Sequence, residues 1–219
     1  MASATASRKP PTSWGVLTVI TGEVYLSPYS RSPREESPGK PVGSVHGDSI
    51  GVHASDSANA WRNLARVGNQ RHRHACLILG ACQAAFDRTS RGGDFQRWTA
   101  LPVPRHLDEI RGLDPATLGG ALDEAIRGNL QARAAAIVHR CGELDQPARP
   151  VFDQLLRHAV SEDGSLHGEK FYRTVAEEFA ATRPAFRWRL LVALARVTVS
   201  EYGRPAPGVD EARRLLGVA

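Results

Sequence analysis

Long apolar runs, cysteine and lysine are what this chain has least of, and each shortage closes a class of function. No stretch of about 18 apolar residues occurs that could span a bilayer, so no membrane partner is expected. The N-terminal MASATASRKPPTSW holds Pro-Pro and polar side chains where a signal peptide needs an apolar core. A cytoplasmic, unsecreted chain is therefore expected. Cysteine stands only at 76, 82 and 141, an odd number without CxxC spacing, which argues against a disulfide framework and a structural zinc site. Lysine stands only at 9, 40 and 170, so the formal charge of +5 is carried by arginine dispersed among carboxylates. Nucleic-acid binding asks for a clustered basic face instead, and a nucleic-acid partner is not expected. GxSxG, P-loop, HExxH and strand-borne GxGxxG motifs are also missing, which leaves hydrolase, nucleotide-binding and zinc-protease readings without residues.

What is present is mostly helical. The 219 residues suffice for one sizeable core. Residues 1–13 read as a disordered tail and 14–219 as one domain. GVLTVITGEVYL (15–26) reads as a β-hairpin, because two β-branched runs flank Thr21-Gly22. Residues 27–55 are rich in Pro, Ser and Gly and have no period, so a long loop or lid is expected. From Asp56 or Ser57, as caps, the pattern turns helical. Helices are expected near 56–67, 69–87, 106–112, 115–142, 147–160, 165–182, 185–202 and 208–217. The second of these, with ACLILGACQAAF as an apolar body, should be buried on most sides. The predicted fold is all-α: a single-domain helical bundle with a short N-terminal β-hairpin or irregular extension.

Four constellations could carry chemistry. In EDGSLHGEKFYRT, His167 shares a helical face with Phe171, Val175 and Phe179, so it is inward, either as a packed core histidine or as a ligand. Gly168 beside it could let a flat body approach, with Lys170 and Arg173 near enough to meet its carboxylates. In NQRHRHAC, the residues Arg71, His72, Arg73 and His74 crowd positive charge into a helix N-terminus, where the macrodipole disfavours it. They form a solvated rim or an anion site. His46 and His53 fall on the expected loop, either merely exposed or as an acid/base group on a lid. His139 and Glu143 have the i, i+4 spacing of a non-haem iron site, but the second such pair that a di-iron bundle needs is missing.

The stretches GVHASDSANAWRNLARVGNQRHRHACLILGA (51–81) and DGSLHGEKFYRTVAEEFAATRPAFRWRLLVALARVTVSEYG (163–203) cover about a third of the chain. They resemble the bacterial haem-dependent L-tyrosine hydroxylases of natural-product biosynthesis, distant relatives of tryptophan 2,3-dioxygenase among the haem-dependent aromatic oxygenases. The resemblance implies an all-α enzyme holding haem b and its iron. It also implies ring hydroxylation of L-tyrosine to 3,4-dihydroxyphenylalanine, with hydrogen peroxide as oxidant. It makes His167 the axial ligand and His53, or His46, the distal acid/base group. Lys170, Arg173, Arg71 and Arg73 would then serve the propionates or the amino acid. Trp61, Trp98, Phe179 and Phe186 are the aromatics it would use for a substrate pocket. Two alternatives stand beside it: a non-catalytic helical binding or regulatory protein using Arg-rich helix termini, and a non-haem-iron helical oxygenase. A homodimer is left open.

Overall fold

The computed structural model describes residues 50–90, 101–161, 166–203 and 208–218. The expected tail 1–13, the hairpin 15–26 and the loop before Ile50, with His46, lie outside the described residues. Within them the fold is all-α, with nine helices and no strand.

The core is organised around one helix. Helix α8 (Pro184–Glu201) starts with Pro184 in its first turn, where a missing N–H costs nothing. Every residue from Leu190 to Glu201 is buried, so this helix is surrounded rather than one-sided. Four helices surround it: α4 (Pro115–Arg127), α5 (Gln131–Glu143), α6 (Ala148–Ala159) and α7 (Leu166–Ala181). The short α3 (Pro104–Asp108) lies against α5. The close approach of α5 and α8 depends on Gly142. A Cβ there would stand 2.6 Å from Trp188 Cγ and 2.7 Å from its Cδ2. Phe171 and Val175 of α7 and Ala134 and Ile137 of α5 belong to the same buried apolar cluster as Leu191 and Leu194 of α8, and full burial of a Phe, Val, Leu or Ile side chain supplies about 1.5–3 kcal/mol.

Two expected boundaries move. The single helix expected over 115–142 is two helices, because Asn129 takes a left-handed φ of 55°. The Leu130 N–H then closes back on the Ala125 carbonyl at 2.8 Å, a turn that satisfies the end of α4 and stops it. Asp114 caps the start of α4, accepting from the Ala116 and Thr117 amides. The lid expected over 27–55 also ends early: α1 (Ile50–Val67) is already helical at Ile50, and His53 sits on it. The physical reason is that the buried positions Val52, Ser55, Asn59 and Arg62 follow one helical spacing that begins upstream of Asp56. Asp56 is accordingly an interior helix residue bonded to α7, not a cap.

Helix α2 (Gln70–Ser90) folds back antiparallel on α1, its start capped by Asn69, whose side chain accepts from the His72 amide at 3.0 Å. The expectation that this helix is buried on most sides is overturned. From Gln70 to Asp87, where burial is described, only Cys76, Gly80 and Asp87 are buried, while Ile78, Leu79, Cys82 and Phe86 are exposed. Helix α9 (Val209–Leu216) buries no residue.

Candidate functional site

Helix α1 meets the bundle chiefly through α7, and beyond Val52, which joins the apolar core, their contacts are largely polar. Bonded partners are 114 to 119 residues apart all the way along, so the two helices run parallel. At one end the rings of His53 and His167 stand edge to face, 6.0 Å between centroids. Next, Asp56 accepts from the Thr174 hydroxyl at 2.7 Å and pairs with Lys170 at 2.9 Å. Asn59 donates to both Glu177 and Glu178, at 3.1 and 3.0 Å, and Asn63 donates to Glu177 at 2.9 Å. Arg62 closes the seam on Glu178 at 3.2 Å, with only 7% and 3% of the two side chains exposed. Hydrogen bonds from Asn63 first, then Asn59 and Arg173, hold the Glu177 carboxyl below its ordinary range against the desolvation that opposes them.

Asp87, near the end of α2, is buried. Its Oδ1 accepts from Gln83 at 2.7 Å, and its Oδ2 is buried without a hydrogen-bond partner. Burial pushes its carboxyl above the ordinary value, opposed by the Gln83 bond and by the nearby His53. A second histidine–carboxylate pair joins α4, α6 and α8. The His158 Nε2 lies 2.8 Å from Asp123, which also takes the Arg127 Nε at 2.7 Å, and the Tyr202 ring stands edge-on to His158 at 5.2 Å.

The structure thus brings His53 and His167 together but not the full set named for haem. His167 is half-buried and meets α1, while the core face of α7 belongs to Phe171 and Val175. The space beside Gly168 is filled by Glu201 Cβ and Ala159 Cα, which a Cβ at that glycine would meet at 3.6 and 3.9 Å. Lys170 is paired with Asp56 and Arg173 with Glu177. Arg71 and Arg73 are at the opposite end of the α1–α2 hairpin. The Arg73 Nε donates to the Ala65 carbonyl, about 18 Å of helix away from His53. Arg71 and Arg73 thus stand apart from His53 and His167. A hollow of about 220 Å³ is lined by Arg149, Phe152, Tyr172 and Ala176, below the ~300–1,000 Å³ of small-molecule sites, and neither histidine lines it.

The aromatics also disperse. Trp61 packs against the Ala65 and Cys76 pair, Phe179 stacks edge to face on Phe152, Phe186 lies under Arg183 and Arg189, and Trp98 is outside the described residues. His139 and Glu143 are a half-exposed pair at 3.5 Å, with Arg140 on the same carboxylate. Among the described residues no three His, Cys, Asp or Glu side chains converge to hold a metal ion, and no helix is long and apolar enough to cross a membrane.

Asn59, Arg62, Asn63, Glu178 and Asp87 were not singled out from the sequence. The helical spacing of Asn59, Arg62 and Asn63 on α1 is visible there, but a polar stripe beside an apolar one reads as a solvated face.

On the far side of the hairpin, α2 presents Ala75, Ile78, Leu79, Cys82, Ala85 and Phe86 outward, with Ile78 64%, Leu79 48% and Phe86 65% exposed. No charged residue interrupts the helix from Ala75 to Phe86. Exposed and basic at its start are Arg71, His72, Arg73 and His74.

No family model matches the chain, and no solved structure matches it. Among curated proteins it is 27% identical over 168 residues to the human (Homo sapiens) triokinase/FMN cyclase, covering 72% of this chain and 29% of that protein. The chain thus spans less than a third of that relative's length, and a likeness of this size leaves the family unassigned.

Proposed function

We propose that the chain is a non-catalytic helical binding protein whose working surface is the outer face of α2. The observation that carries this reading is the uncharged stripe from Ala75 to Phe86, standing in solvent on a helix whose other face is already packed. Contiguous exposed apolar surface rimmed by polar groups marks interaction sites, because leaving it in water forfeits the free energy its burial would supply. The polar seam between α1 and α7 supports the same reading. Buried hydrogen-bonded charges add little net stability over an apolar contact, yet they hold one register, and here the register they hold is that of the arm that presents α2.

The test is an I78D/F86D double variant. Both side chains are about two-thirds exposed, so helicity and cooperative unfolding should match the parent; loss of either shows that the face is core and overturns the reading. A second reading, haem-dependent hydroxylation of L-tyrosine, is favoured by the adjacency of His53 and His167. Adding hemin to the pure protein separates the two. No Soret band beyond that of free hemin is expected. A stoichiometric band that H167A alters would carry the oxygenase reading instead.

A further inference from the structure

The stripe on α2 has a period. Ala75 and Cys82, Ile78 and Ala85, and Leu79 and Phe86 are each seven residues apart, the repeat that keeps one seam facing a partner helix. The sizes along the seam are uneven: Ile78, Leu79 and Phe86 are large, whereas Ala75, Cys82 and Ala85 are small. Resting on the reading of this face as a docking surface, we infer that its occupant is a second copy of this chain, with the two α2 helices packed antiparallel about a two-fold axis near Gly80.

Size and charge select that arrangement. About such an axis Phe86 of each copy lies across from the partner's Ala75, and Leu79 across from the partner's Cys82, so large meets small at both levels. A parallel pair would oppose Phe86 to Phe86 and Ala75 to Ala75, crowding one end and leaving the other empty. Charge excludes the parallel pair as well. It would set the exposed clusters Arg71, His72, Arg73 and His74 of the two copies side by side. Antiparallel packing carries the two clusters to opposite ends of the seam, so that they no longer face each other; the partner's carboxyl end there carries Arg88 next to Asp87 in sequence. The face offers an unrelated partner no charge to recognise. Its own pattern of sizes is the complement it fits.

Cys82 makes the arrangement measurable. It is exposed at the centre of the seam, whereas Cys76 and Cys141 are buried. Two copies of Cys82 would be offset by about three residues, or ~4.5 Å, along the axis. Sedimentation of the pure full-length chain should show a dimer that dissociates on dilution. A short bismaleimide should link it through Cys82, with the product lost in C82S. I78D/F86D should sediment as a monomer. An A75C/C82S variant should resist the same linker, because the two introduced thiols lie about 16 Å apart when antiparallel. A chain that stays monomeric at every soluble concentration overturns the inference, and so does strong cross-linking of A75C/C82S. In the first case I78D/F86D, if still folded, leaves the docking face itself standing for a different partner. Loss of folding in I78D/F86D would remove both.

Discussion

Single residues in this molecule are decided by what stands one contact away, and two glycines show it. Gly142 and Gly168 both sit in helices against α8, and sequence alone gives Gly168 the more suggestive neighbour, His167. A Cβ at Gly142 would drive into the Trp188 indole at 2.6 Å, whereas at Gly168 it would meet Glu201 at an ordinary 3.6 Å. Gly142→Ala should therefore lose about 1–3 kcal/mol in urea denaturation, through overpacking. Gly168→Ala should be neutral or gain up to about 1 kcal/mol from helix propensity. Large destabilisation by the second change would return Gly168 to a role in holding something. Asp87 makes a further prediction. Its carboxyl is raised by burial, so between the ordinary Asp value, about 3.9, and its folded value the folded chain binds the extra proton, and stability falls as pH rises through that window. Asp87→Asn keeps an acceptor for Gln83 and has no charge to desolvate. Its melting temperature should exceed the parent's at neutral pH, and the advantage should vanish below about pH 4.

At the scale of elements, a polar seam is the main tie between the arm of α1 and α2 and the bundle, with Val52 of α1 joining the apolar core. Glu178 is the deepest acid of the seam, and Arg62 has its closest carboxylate there. Glu178→Ala would leave that guanidinium buried with only the 3.8 Å contact to Glu177, at a cost of about 3–5 kcal/mol. A paired R62M/E178M replacement should recover most of the loss, since it removes both charges from the interior. If the single variant unfolds at the parent's urea midpoint, the seam does not anchor the arm. The elements themselves were legible to different degrees. α6, α7, α8 and α9 lie within one residue of their expected bounds at both ends, because Pro and Gly punctuate them. The division of α4 from α5 was not, because its left-handed residue is Asn129 rather than a glycine. Nor was the exposure of α2: a continuous apolar run has the same pattern whether both of its faces are covered or only one.

Across the whole molecule, acid should loosen what paired carboxylates hold. The Arg127 guanidinium, ahead of His158, holds Asp123 below its ordinary value, and Asn63 does the same for Glu177. Both contributions are fully present above the unfolded carboxylate values, about 4, and are lost as pH falls through the folded ones. Urea midpoints should thus be flat through pH 5 to 8 on this account and drop below about pH 4. The drop should be shallower in D123N. An acid profile identical in D123N and parent would show that the α4–α6–α8 corner is not linked to folding. The residue order alone determined the helical class, the bounds of α6 to α9 and the inward facing of Phe171 and Val175 on α7, because periodicity and Pro-Gly punctuation are local properties of a chain. Only the tertiary structure decided that His53 lies on a helix beside His167, that Arg71 and Arg73 stand at the far end of the arm, and that α2 keeps an apolar face in solvent. Those are relations between helices more than a hundred residues apart or between two faces of one helix. A one-dimensional pattern holds the candidates for such contacts, but which faces meet is settled by packing.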